Sequence, residues 1–187
     1  MRTIDVRELL GHPGAWKAER LHDTIDGLRT ELASVPADAP IDAELVFESV
    51  VEGVLASGTL TGTMALRCAR CLIEFRQPFH VEVSELFTVG APDDGDEYPL
   101  DPEGDLDPEQ MVRDAVGVEL PFSPLCAPGC LGLCERCGGD RNRGECACSG
   151  VDVDPRWAAL EELFASVDVE LERSPRERLN LEEGGDA

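Results

Sequence analysis

Eight cysteines in four close pairs constrain this chain more than any other feature: Cys68/Cys71, Cys126/Cys130, Cys134/Cys137 and Cys146/Cys148. Two thiols a few residues apart deliver two soft ligands from one turn, and structural zinc takes four ligands in a tetrahedron. Four pairs therefore match two thiolate sites, or one site with thiols to spare. The favoured grouping places Cys134, Cys137, Cys146 and Cys148 in a compact local site. Cys68 and Cys71 then reach across the fold to Cys126 and Cys130; other pairings remain open. Gly138-Gly139 after Cys137 leaves the backbone free to turn around a metal. The surrounding segment is short of apolar residues, so metal binding would supply its folding energy. An iron–sulfur cluster is the less favoured occupant.

The compartment decides what else thiols can be. The N-terminal stretch MRTIDVRELLGHPG lacks the apolar run of a signal peptide. No segment approaches the roughly 18 apolar residues of a membrane helix. The expected location is cytoplasmic, where disulfides are rare. The thiols are then metal ligands, redox groups or buried apolar residues, and burial does not explain paired spacing. The alternative function is a thiol–disulfide redox protein using Cys68-Ala69-Arg70-Cys71, with Arg67 and Arg70 depressing the thiol pKa. Such chemistry needs one pair rather than four.

Charge narrows the partners. Thirty-nine acidic and 16 basic residues give a formal charge of −23 over 187 residues. Such a chain repels nucleic acid and anionic membrane at long range and attracts basic partners. Lys17 is the only lysine, and the other basic residues are arginines. The arginine fork suits phosphate or carboxylate recognition, although biased genome composition is the simpler explanation. Arg67, Arg70, Arg76, Arg136, Arg141 and Arg143 lie beside cysteine pairs. If the two cysteine regions meet on a metal, these form one basic patch, with Arg67, Arg70, Arg136, Arg141 and Arg143 as candidate RNA or partner contacts. The plainer reading is that they offset thiolate charge.

The pattern along the chain predicts an α+β fold: an antiparallel β-meander or small barrel core with short helices and a cysteine-rich zinc-binding segment. Residues 1–120 are read as an N-terminal helix, a β core, an acidic loop and a helix. Asp5–Leu10 is a helix candidate with Asp5 as cap, and Leu21, Ile25, Leu28 and Leu32 carry helical spacing weakened by Gly27. Ile41–Phe47, Thr59–Leu66 and Phe79–Ser84 alternate with period two, with short links at Glu52-Gly53 and Gln77-Pro78. Residues 91–107 read as a solvated acidic loop whose spacing does not match a calcium-binding EF-hand. Asp107-Pro108-Glu109 opens a helix with Met111, Val112, Ala115 and Val116 on one face. Residues 121–165 form the cysteine-rich segment and a last helix with Trp157, Leu160, Leu163 and Phe164 on one face, and 166–187 an acidic, disordered tail.

No catalytic constellation is present. His12, His22 and His80 are isolated in sequence, and no phosphate-cradling glycine loop, G-x-S-x-G elbow or H-E-x-x-H helix occurs. The chain is read as a binding protein rather than an enzyme. A zinc-ribbon transcription factor is disfavoured by the acidic charge and the lack of a basic recognition helix, so no DNA partner is expected.

Four pieces together resemble a known family. They are Asp5-Val6-Arg7-Glu8-Leu9-Leu10 with Pro13-Gly14, then Leu66-Arg67-Cys68-Ala69-Arg70-Cys71-Leu72, then Cys126 through Cys148 with Asn142, and finally Asp154-Pro155-Arg156-Trp157. Over residues 2–165 the chain resembles the YceD family, the large ribosomal RNA subunit accumulation proteins. The resemblance implies a non-enzymatic role in producing or stabilising large-subunit rRNA in bacteria and plastids, with a ribosomal precursor particle as partner. Some members keep fewer cysteines, which makes metal a scaffold device rather than the shared function. Two mechanisms follow: contact with rRNA through local arginines, or escort of a basic ribosomal protein. Charge alone favours escort, because phosphate contacts need several basic groups.

Overall fold

The computed structural model describes residues 1–90, 97–148 and 155–157. The chain divides into two compact units, Met1–Cys146 and Ala147–Ala187. In the second unit the described part includes a single 3-10 turn, Pro155–Trp157. The rest of the expected last helix and the acidic tail lie outside the described residues. Among those described, no helix is long and apolar enough to cross a membrane.

The first unit is organised by one meander. In β4, Ile41–Ser49, every odd-numbered residue is buried and every even-numbered one exposed. That alternation is what a sheet with one covered face requires. β4 pairs antiparallel with β5 (Val54–Arg67), and β5 pairs along its whole length with β6 (Glu74–Val89). β2 (Trp16–Asp23) adds to the outer edge of β4. β3 (Ala33–Ser34) takes over beside β5 where β4 has ended, pairing Ala33 with Leu66. β7 (Tyr98–Leu100) lies parallel to the end of β6. A separate ribbon joins β1 (Ile4–Asp5) to β8 (Asp105–Leu106). The one α-helix among the described residues, α1 (Glu109–Glu119), buries Met111, Val112 and Val116. These join Phe47, Leu60, Phe87 and Leu106 in a single core.

Several expectations change. The sheet is open, running β2-β4-β5-β6-β7, so no barrel closes. Asp5–Leu10 is not a helix: Ile4–Asp5 is strand and consecutive turns follow, with the Leu9 N–H donating to the Val6 carbonyl at 2.9 Å. Asp5 accepts from the Arg7 backbone N–H at 3.0 Å and pairs with its guanidinium, so its carboxylate closes a local turn instead of capping a helix. Six residues are too few to sustain a helix against that competition. The Leu21–Leu32 stretch is not a helix either. Leu21 belongs to β2, whose eight-residue ladder with β4 outweighs a helical spacing that Gly27 interrupts at φ +83°.

The expected link at Gln77-Pro78 lies inside β6, where Pro78 faces Thr63 of β5. β7 covers only Phe87–Val89, so Pro78 sits on an edge stretch, where proline is tolerated in a sheet. The real β5–β6 link is residues 68–73, which holds the first cysteine pair. Within the acidic stretch, β7 and β8 bury Leu100 and Leu106, while residues 91–96 lie outside the described set. The α1 cap residue is Pro108, and Asp107 one position earlier accepts from the Glu109 N–H at 3.0 Å.

Candidate metal centres

The link between β5 and β6 folds as a knuckle. The Cys68 N–H donates to the Ile73 carbonyl at 2.9 Å, and the Leu72 N–H donates back to the Cys68 carbonyl at 2.9 Å. Leu72 takes a left-handed backbone, φ 61°, unusual for a branched residue. Three bonds bolt this knuckle to the cysteine-rich segment. Ala69 N–H donates to Pro124 O at 2.8 Å, Leu133 N–H to Arg70 O at 3.1 Å, and the Arg70 guanidinium to Cys130 O at 2.9 Å. Cys68, Cys71, Cys126 and Cys130 consequently converge, with all four Sγ atoms within 4.8 Å of one another.

The spacing fits one ion. Sulfurs in a tetrahedron about 2.3 Å from a common centre stand about 3.8 Å apart. Cys68 and Cys130 Sγ are 3.8 Å apart, and Cys71 and Cys126 Sγ 3.6 Å. A disulfide would need about 2.05 Å, and a multi-iron cluster holds its cysteine sulfurs farther apart because iron and sulfide lie between them. Cys68 and Cys130 are buried, Cys71 is half-buried and Cys126 exposed, so the site faces the sheet with one side and solvent with the other.

Cys134, Cys137, Cys146 and Cys148 form the second group, again within 4.8 Å of one another. A second knuckle builds it. Gly138 N–H donates to Cys134 O at 2.8 Å, Cys134 N–H to Gly139 O at 2.9 Å, and Gly138 holds φ +71°. A Cβ on Gly139 would crowd the Glu145 carbonyl. Sequence spacing grouped the same foursomes, and each group could hold a metal ion.

The electrostatics of the two knuckles match. Burial pushes the Cys68 thiol up, but N–H groups of Cys126, Cys71 and Arg70 outweigh it and hold the thiol at about 6. Cys134 is held at about 6, chiefly by the N–H groups of Cys137 and Arg136. The first cysteine of each C-x2-C pair is thus prepared as a thiolate. Cys126 is pushed up to about 12 by its contact with Cys71 and by burial. Four thiolates at these distances would be stable only with a cation among them.

Asn142 is the residue that sequence reasoning left without a role. It lies in the 3-10 turn Arg141–Arg143, closed by Asp140, whose Oδ1 accepts from the Asn142 N–H at 2.9 Å. Its side-chain oxygen accepts from the Leu131 N–H at 2.7 Å, and its amide nitrogen donates to Cys130 Sγ at 3.5 Å. A residue between the cysteines of the second group therefore holds a ligand of the first. The signal available in sequence was the Asp-x-Asn turn between two cysteine pairs.

The predicted arginine contacts are mostly engaged locally. Arg67 pairs with Glu74 at 3.1 Å, Arg70 donates to Cys130 O, and Arg143 pairs with Asp140 at 3.4 Å. Arg136 is also partnered, and the exposed Arg141 side chain has no assigned partner among the described residues.

Residues 56–164, which include all eight cysteines, match the family model described as large ribosomal RNA subunit accumulation protein YceD. The chain is 40% identical over 177 residues to an uncharacterized protein, Rv2926c, of Mycobacterium tuberculosis, covering 87% of this chain and 81% of the relative. It is 27% identical to the uncharacterized protein YlbN of Bacillus subtilis, over 59% of this chain and 66% of that one. A shorter match, 29% identical, covers 32% of this chain and 18% of the chloroplastic YCED homolog 1 of Arabidopsis thaliana, described as a large ribosomal RNA subunit accumulation protein. No solved structure matches.

Proposed function

This chain belongs to the YceD family, and from that premise we propose that it is a non-enzymatic factor supporting accumulation or assembly of large-subunit ribosomal RNA. The family match over residues 56–164 carries the reading, because it spans the long β5–β6 hairpin and both cysteine groups. The partner is a ribosomal precursor particle. Deleting the gene is expected to lower the ratio of large- to small-subunit rRNA and to accumulate large-subunit precursors. An unchanged ratio and unchanged precursor profile on rRNA gels overturn the reading.

Zinc is the proposed ion at both cysteine groups. All-thiolate donor sets in closed tetrahedral geometry favour zinc as a structural ion. Its work here is mechanical. At the first site it would tie the β5–β6 link to the segment after α1, so that two stretches distant in sequence present one surface. Grouping in fours supports a metal rather than a redox pair, which needs two thiols.

Asn142 holds Cys130 from outside the ligand set, and such partners typically change metal affinity 10–100-fold. Asn142→Ala is expected to weaken zinc binding by about that factor, read by competition with a chromogenic chelator. Unchanged competition means that Asn142 does not position Cys130.

A further inference from the structure

In a chain with 39 acidic and 16 basic residues, an unpaired arginine is the exception. Half of the described arginines are engaged by carboxylates, as Arg2 is by Glu19 and Arg20 by Glu44. Arg29 and Arg76 are exposed, their guanidinium groups have no assigned partner among the described residues, and both line the same cleft of 510 Å³. The fold brings them there from 47 positions apart. Arg29 bridges to Ser34, β3 sets Ala33 against Leu66 and Ser34 against Ala65, and Ala65 faces Arg76 across the β5–β6 ladder. Arg67 is a third arginine in the lining, its guanidinium held by Glu74. Half-buried Phe75 and the Ser34 side chain complete the relevant wall.

We propose that this cleft binds the phosphate backbone of single-stranded large-subunit rRNA, with Arg29 and Arg76 as the two direct phosphate contacts. The proposal rests on the rRNA reading above and names the contact that reading leaves open. A guanidinium fork meets phosphate oxygens with two parallel bonds. The chain's net charge repels RNA at long range, so contact depends on arginines that no internal carboxylate has claimed. Two exposed arginines without an assigned side-chain partner, Arg29 and Arg76, meet here, whereas Arg141 stands singly beside the second cysteine group. The cleft is of ligand-binding size, and an aromatic side chain beside phosphate-binding groups is the usual composition of a single-strand site. Glu31, also in the lining, sets a limit: the cleft is weakly basic, so binding is modest and strongly salt-dependent.

The test compares the full chain with Arg29→Ala/Arg76→Ala and with Arg20→Ala, each binding a transcript of large-subunit rRNA between about 50 and 200 mM salt. The double variant is expected to bind about tenfold more weakly or worse, and its salt slope to fall by about 1.4, at roughly 0.7 per single-strand phosphate. Arg20, paired with Glu44, lies outside the cleft, so Arg20→Ala should bind within about twofold of the parent. Equal binding by the double variant overturns the proposal, as does absence of binding by the parent. Binding of polyglutamate with the same arginine dependence, and tighter than RNA, also overturns it in favour of an acidic polypeptide. The rRNA ratio separates this failure from failure of the broader reading. If deletion lowers the ratio and the double variant restores it while binding RNA like the parent, only the cleft is wrong. If deletion leaves the ratio unchanged, the accumulation role itself is wrong.

Discussion

Cys68→Ser is expected to lower the metal content of purified protein from two ions per chain to one and to release the segment around Pro124–Leu133 from the sheet. Cys68 is fully buried at the end of β5, and its Sγ forms an edge of the proposed tetrahedron with Cys130. A serine hydroxyl stays protonated and is a poor zinc ligand, so three thiolates would remain around a partly desolvated ion. Structural zinc binding supplies about 10–16 kcal/mol, whereas a whole domain is stable by about 5–15 kcal/mol. The loss has a direction. The bonds of the knuckle to Pro124, Cys130 and Leu133 depend on the link being held in place, while β4, β5 and β6 rest on a core that does not include the cysteines. The variant should therefore show protease cleavage near residues 121–133 before the sheet melts, and strand signal in circular dichroism should outlast it. Two ions per chain with the parent's protease pattern would sink the idea.

What sequence revealed follows from how local the governing forces are. β4 was legible because burial on one sheet face imposes a period of two, and Ile41–Phe47 obeys it without interruption. The α1 face was legible for the same reason at helical period. The two foursomes of cysteines were legible because ligand pairs must be close in sequence to share a turn. The N-terminal region was misread because Val6 with Leu9, and Leu21 with Ile25, mimic helical spacing while being buried by turns and by β2. The Asp5–Arg7 turn decides the first stretch, and Gly27 together with the ladder to β4 the second. Arg29 was invisible as a site residue because its proximity to Arg76 runs through two strand pairings, and no periodicity encodes that path.

The second large effect tests the sheet independently of the metal. Gly58→Ala is expected to destabilise the protein by about 3 kcal/mol or more, combining overpacking with backbone strain. Gly58 stands opposite Leu45 on one side and Val83 on the other, in the middle of three consecutive strands. A Cβ there would be driven into the Glu44 carbonyl oxygen and against the Leu45 Cα, and φ is +154°. Backbone atoms inside a ladder cannot step aside singly, so β4 and β5 would have to splay and expose the row that holds Leu45 and Phe47. Gly62, four residues further along β5, gives the control. A Cβ there would meet only the ring of Phe79 at 2.6–2.7 Å, together with a distant carbonyl. Those atoms are the far end of a side chain that also borders a cleft of 310 Å³, so the ring can yield where a ladder carbonyl cannot. Gly62→Ala should consequently cost less than half as much. For a protein of this size about 3 kcal/mol corresponds to roughly 6–12 °C in Tm, so thermal melts of the two variants at equal metal content distinguish them. Equal melting of Gly58→Ala and Gly62→Ala would mean that the β4–β5 ladder yields as easily as a side chain. The close approach of strands at Gly58 would then not be what holds the meander together.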